Sequence, residues 1–329
     1  MRFIVTPPLR TGWPLHGQRA PMGGKIIVEA DGIVKARYVD TAPDDSFWRV
    51  LHRLADKALG GFRRSLLAVL GSVGVSIPRD RLTALTIAGD AEALAQAVQQ
   101  VWQTVGVSGL QEHVAPQVQA LALEAAEVTT LADISVRFNV EDQEALRAIE
   151  RFTGQRMTAI SDTTLEAVRG IIRRAFEAGT PITQQIAEIQ ELVGLTPKQA
   201  ESVSRYRQGL LEAGEKPTRI DALVEKRTRA LRRQRAESIA RTESMAAVHE
   251  GQQERWRQAV RDGLMDTGRF RRYLVITPDD RLCPVCAAVP GLNPEGVGLE
   301  QPFETPGGSV QHPPIHVMCR CSVSLREVR

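Results

Sequence analysis

The chain has 329 residues, with 42 Lys and Arg against 39 Asp and Glu, a formal charge of +3, and 43% hydrophobic residues. That length predicts about two domains, and the composition excludes a wholly disordered chain, a collagen and a disulfide scaffold. Near-neutral charge also argues against a general nucleic-acid coat.

Phe, Trp and Tyr total 15, so the core has to come from Ala, Leu, Val and Ile, which suits helices better than a sandwich. Thirty-six of the basic residues are Arg and six are Lys. Arg makes bidentate contacts to phosphate and carboxylate that Lys cannot, although a codon bias would give the same excess. Met1 to Pro8 holds one Arg and a three-residue apolar run, too little for a signal peptide. The longest uncharged apolar stretch, Ser65 to Ile77, is 13 residues broken by Gly71 and Gly74, whereas a membrane-spanning helix needs about 20. No membrane is expected, and in a cytosol cysteines serve metals more readily than disulfides.

In chain order, residues 1–45 read as an irregular arm with one hairpin, Lys25 to Val39 turning at Asp31-Gly32. A helical region follows over 46–140, starting after the N-cap Ser46 and interrupted at Gly60-Gly61, with further helices at about 62–73, 90–105 and 114–128. Residues 141–250 read as a helical scaffold. Leu165, Val168, Ile171, Ile172 and Phe176 form one apolar face that Gly179 ends. Thr180-Pro181 and Thr196-Pro197 each open a further helix, an N-cap followed by proline at the first helical position. Thr218 to Glu250 has neither Gly nor Pro, so one long helix is expected. Its first half carries Lys226, Arg227, Arg229, Arg232, Arg233 and Arg235. These are candidate contacts to DNA phosphates or to a protein partner, and their spread round the helix favours a solvated face or a protein partner over DNA. A short helix with Trp256 and Val260 is expected after Gly251. From Glu225 to Arg272 there are 13 basic and seven acidic residues, so the small net charge averages unlike parts.

Residues 251–329 form the module that carries chemistry. After the β-rich run Arg269 to Ile276 comes Cys283-Pro-Val-Cys286, and later His316-Val-Met-Cys319-Arg-Cys321. All four cysteines of the chain lie in its last 47 residues. A C-x-x-C loop turns both sulfurs towards one point, as a zinc knuckle requires, and Cys319 and Cys321 share a side of an extended segment. Cys283, Cys286, Cys319, Cys321 and His316 are the candidate zinc ligands, with His312 a sixth donor. A disulfide or reduced thiols in a small core is the competing reading. His52, His113 and His249 lack clustered partners and read as plain surface or core histidines. The expected fold is mainly α: a helical N-terminal and central body, and a small α+β, zinc-stapled C-terminal module.

The ordered motifs Ile239-Ala-Arg-Thr-Glu243, Trp256, Thr277-x-Asp-Asp-Arg-x-Cys-x-x-Cys286, Gly291, Phe303, Pro313-Pro-x-His316 and Cys319-Arg-Cys321 resemble the phage Mu F-type head morphogenesis family. Gly194 to Ala200 with Tyr206-Arg207 is similar too, so the resemblance spans about 145–329. It implies a non-enzymatic minor head protein of a tailed phage or prophage, acting with the portal and other head proteins in head morphogenesis, DNA packaging or ejection. Such a protein resides in the virion and, during assembly, in the host cytoplasm. Onto the family's motif positions fall Arg241, Glu243, Asp280 and Arg281. Asp280 is expected to fix a turn and Arg281 to bind a carboxylate. Glu243 is expected to pair with neighbours of Arg241 or with Arg320, holding the long helix on the metal module.

Two other classes compete. A toxin-type or nuclease enzyme can carry a Mu F-like region, but H-E-x-x-H, H-x-E before P-C-x-x-C, a Walker loop and G-x-S-x-G are all missing from the sequence. A zinc-ribbon DNA-binding protein would use Arg269, Arg271, Arg272, Arg281, Arg320, Arg326 and Arg329 around the cysteines.

Overall fold

The computed structural model describes residues 47–129, 138–177, 194–276 and 282–328. The expected arm and hairpin, the helix opened by Thr180-Pro181, and Asp280 and Arg281 lie outside the described residues. What is described is mainly α, with a few short strands near the C-terminus. It divides into two units that are not contiguous in sequence. One comprises residues 56–121 and 146–244; the other comprises the described residues up to Ala55, residues 122–145 and those from Met245 on.

Helices α1 (Phe47–Ser76), α2 (Arg79–Ile87), α3 (Ala91–Val101), α4 (Ser108–His113), α5 (Ala115–Val128), α6 (Gln143–Glu177), α7 (Pro197–Glu212) and α8 (Pro217–Arg261) follow in order. Local chemistry sets several of their ends. Asp90 accepts the N–H of Ala93 at 2.8 Å and starts α3. Thr196 caps α7 with Pro197 at the first helical position, as the Thr-Pro pair predicts, and Gln199 completes a reciprocal capping box. Between α3 and α4 the chain widens into a π-helical stretch, Trp102–Val107. Gly106 has no Cβ there, and one would lie 2.7 Å from the buried Trp102 ring.

Two expected breaks do not occur. Helix α1 runs straight through Gly60-Gly61. Glycine in a helix costs about 0.5–1 kcal/mol, which the burial of Phe62, Leu66, Val69, Leu70 and Val73 on one face outweighs. Gly61 also gives Gln117 room, since a Cβ there would sit 2.8 Å from its amide oxygen. By length and composition Arg49–Ser76 could cross a membrane, but in the folded protein that apolar face is core. Helix α8 likewise continues through Gly251 to Arg261, 45 residues in all, and takes in the separate helix expected around Trp256. The reason is close packing: a Cβ on Gly251 would lie 1.9 Å from the Ala122 carbonyl oxygen of α5.

The C-terminal part is α+β. Strand β1 (Phe270–Val275) pairs antiparallel with β4 (Ser322–Glu327), from Phe270 opposite Glu327 to Val275 opposite Ser322. Between them come α9 (Pro284–Leu292) and a small hairpin of β2 (Phe303–Thr305) and β3 (Gly308–Val310). Trp256 and Ala259 of α8 pack with Met265, Val289, Val297, Leu299, Phe303 and Val323 into one core. A second, smaller core holds Ile276, Cys286, Cys319 and Cys321.

A candidate metal centre and its buried polar support

Three elements bring the sulfur and nitrogen donors together. Cys283 is the N-cap of α9, and its Sγ accepts the Cys286 N–H at 3.3 Å. Cys286 sits in the first turn of α9, while His316, Cys319 and Cys321 come from the segment that enters β4. His316 Nε2 lies 3.0 Å from Cys283 Sγ and 3.1 Å from Cys286 Sγ. Cys286 Sγ lies 3.7 Å from Cys319 Sγ. Two triads result, Cys283–Cys286–His316 and Cys286–Cys319–Cys321, each with its donor atoms within 4.8 Å of one another. Either could hold a metal ion, and Cys286 belongs to both.

The donor set fits zinc. With Zn–S near 2.3 Å, a tetrahedral site places neighbouring sulfurs about 3.8 Å apart, close to the Cys286–Cys319 separation. All four cysteines are free thiols, so the structure contains no disulfide among them. Cys286, Cys319 and Cys321 are each at most 2% exposed, whereas Cys283 is half-buried. The buried sulfurs share protons unequally: hydrogen bonds from Cys286 and Cys321 pull Cys319 down, while bonding to Cys319 and Cys321 together with burial pushes Cys286 up.

Helix α8 supports this centre through residues that sequence reading set aside. His249 is 1% exposed and donates from Nε2 to the Cys321 carbonyl at 3.1 Å; its Nδ1 lies 3.2 Å from Gln252 Oε1. Gln252 donates to the Val323 carbonyl at 3.1 Å. The helix therefore caps the outer edge of β4 where a further strand would otherwise bond. Burial, then the nearby His312, lowers the His249 pKa to about 4. His312 is not at the metal centre: its Nε2 lies 2.9 Å from Glu250 Oε2. The signal missed was that His249, Gln252 and Gln253 recur on the face of α8 turned to the core.

Residues 203–324 match the family model described as Phage Mu protein F like protein. The chain carries a Phage Mu F-like domain. No curated protein and no solved structure matches the chain. The match begins within α7 and ends in β4, taking in α8 and every donor of the metal centre. It starts later than the motif resemblance, which reached back to about residue 145.

Within the Mu F-like domain Arg272 has a structural duty that excludes the contact expected of it. Arg272 is fully buried and donates to Gln253 Oε1 at 3.1 Å and to the carbonyls of Gly298, Gln301 and Gln311. It ties β1 to the loops around β2 and β3 and cannot reach a phosphate; burial lowers its pKa to about 10. Arg272→Met is expected to cost about 2 kcal/mol in a urea titration, because it orphans several buried carbonyls at once. A change below about 0.5 kcal/mol would show that those carbonyls have other partners. Arg326 stacks over Tyr273 at 4.8 Å and Arg269 pairs with Glu327.

The α8 arginines also divide. Arg235 is 4% exposed and donates to the Leu195 carbonyl and to Thr164 Oγ1, so it is a core residue and no nucleic-acid contact. Arg227 bonds Ser202 Oγ at 2.7 Å and covers the Tyr206 ring. Arg229 pairs with Glu225 at 3.5 Å, Arg232 is half-buried and Arg233 is exposed.

Glu243 does not hold the metal module. Its carboxylate receives Arg156 of α6 in two bonds of 2.5 and 2.7 Å, which raise the Arg156 pKa. Arg241 pairs with Asp56 at 3.3 Å. Glu243 is 4% exposed, so Glu243→Gln is expected to cost about 2 kcal/mol and to leave metal content unchanged. A double-mutant cycle with Arg156→Gln measures the pair, and coupling below about 0.5 kcal/mol would contradict this assignment.

Proposed function

We propose that this protein is a minor head protein of a tailed phage or prophage that acts with the portal in head morphogenesis, DNA packaging or ejection. The observation that carries the reading is the Phage Mu F-like match over residues 203–324, which contains the whole donor cluster. Cys286, Cys319 and Cys321 with either Cys283 or His316 would hold a structural zinc ion in the C-terminal module; a shell filled by protein donors would leave no position for a reactive water, and the metal would supply folding energy. The role is architectural and not enzymatic. Exposed Lys226 and Arg233 on α8 are available for salt-sensitive contact with DNA phosphates.

The test is an in-frame deletion of the gene in the phage or induced prophage. Particles should lose filled heads while tails still form, and mass spectrometry of wild-type virions should find the chain in few copies beside the portal. Normal, infectious heads made without the protein would overturn the proposal.

A further inference from the structure

The five donors of the metal centre are not equally protected. A tetrahedral zinc shell takes four, so one donor is in surplus. Cys286, Cys319 and Cys321 are each at most 2% exposed, which leaves the partly buried Cys283 and His316 as the pair that shares the fourth position. His316 is set to bind. Its Nδ1 lies 2.8 Å from the Val317 carbonyl oxygen and donates to it. Nε2, 3.0 Å from Cys283 Sγ and 3.1 Å from Cys286 Sγ, therefore presents its lone pair to the centre.

Cys283 is the sulfur left outside the shell whenever His316 is in it. It lies on the solvent side of the centre, where Pro284, Val285, Val317 and Met318 are exposed. As N-cap of α9 it accepts the Cys286 N–H, which holds the two residues side by side. Their sulfurs belong to one triad, with all its donor atoms within 4.8 Å of one another. A C-x-x-C pair at a helix start can bring its sulfurs to the bonding distance of about 2 Å by side-chain rotation. Cys319 and Cys321 join Cys286, not Cys283, in the second triad, so Cys286 is the thiol within reach of Cys283.

Resting on the zinc reading above, we propose that Cys283 is an oxidation site through which hydrogen peroxide empties the metal centre. The Cys283 sulfur attacks one peroxide oxygen. The O–O bond breaks, the departing hydroxyl leaves as water with the thiol proton, and Cys283 becomes a sulfenic acid. The Cys286 sulfur, giving up the metal, then attacks the Cys283 sulfur. An S–S bond forms, the S–O bond breaks, and hydroxide departs. The two sulfurs lose two electrons between them, and the peroxide takes both. The disulfide removes Cys286, the donor common to both triads, together with Cys283. His316, Cys319 and Cys321 remain, one donor short of a closed shell.

The experiment adds hydrogen peroxide to the full-length, zinc-loaded protein and follows released zinc with a chromogenic chelator. Fragment mass spectra of the unreduced digest locate any disulfide. Zinc should leave in step with a Cys283–Cys286 disulfide, and dithiothreitol with added zinc should restore the starting state. Cys283→Ser, with His316 as fourth donor, should keep its zinc and lose it at least about tenfold more slowly under peroxide. His316→Ala, which keeps Cys283 in the shell, should also slow the loss. Met318→Leu should behave as wild type, and it separates the effect from oxidation of this methionine, 41% exposed beside Cys319. A chain that holds no zinc before peroxide overturns the metal reading on which this rests. Zinc retained under peroxide, zinc lost as fast from Cys283→Ser as from wild type, or a disulfide between other cysteines overturns the oxidation site itself.

Discussion

Replacing Cys286 with serine is expected to strip the metal from the protein and melt its C-terminal module. Cys286 is the one donor common to both triads, it is 2% exposed, and its backbone N–H bonds the Cys283 sulfur. Serine loses the thiolate and leaves a hydroxyl among apolar neighbours. Structural zinc is worth about 10–16 kcal/mol of apparent binding free energy in small domains, and much of that becomes stability of the surrounding strands. The small core of Ile276, Cys286, Cys319 and Cys321, with Leu274, Leu282 and Ile315 packed against it, is built around these sulfurs. Cys283→Ser and His316→Ala should be milder, because these two less buried donors compete for the fourth position and either can fill it. A colorimetric zinc assay with hydrogen exchange across β1 and β4 reads both effects. Wild-type zinc content and wild-type protection in Cys286→Ser would refute the shared-donor geometry.

Among the described glycines, Gly251→Ala should be the most damaging alanine substitution, at about 3 kcal/mol or more. In an ordinary helix the same change stabilises by about 1 kcal/mol. Here the added carbon would lie 1.9 Å from the Ala122 carbonyl oxygen and 2.9 Å from the Ala126 amide nitrogen. Both are backbone atoms, so no rotamer change relieves the clash and α5 must move away from α8. Gly154→Ala, also within a helix but with nothing within 4 Å of its new carbon, is the control and should be neutral or stabilising. Equal urea midpoints for the two variants would mean that α5 and α8 do not approach so closely.

The sequence made the local signals plain. Thr196-Pro197 announced a helix start because the cap bond is made three residues away, and the capping box is present. The cysteine spacing announced the donor cluster because zinc geometry is short-ranged. What could not be read were long-range partners. Gly60, Gly61 and Gly251 looked like helix breaks because their propensity is visible and the chain packed against them is not. Glu243 could have met any of several arginines, and the one it meets, Arg156, is 87 residues away. Arg235 and Arg272 looked like surface charge because nothing local shows that their donors point at backbone carbonyls. His249 looked like a solitary histidine for the same reason, since its partner carbonyl at Cys321 is 72 residues distant.

The most direct test of the metal-stapled domain is elemental analysis of the full-length protein, purified without chelator, alongside a count of reactive thiols. One zinc ion per chain is expected, with the cysteines slow to react with a thiol reagent until a chelator removes the metal. A folded, metal-free protein whose four thiols react freely, or whose mass shows them oxidised to disulfides, would contradict it.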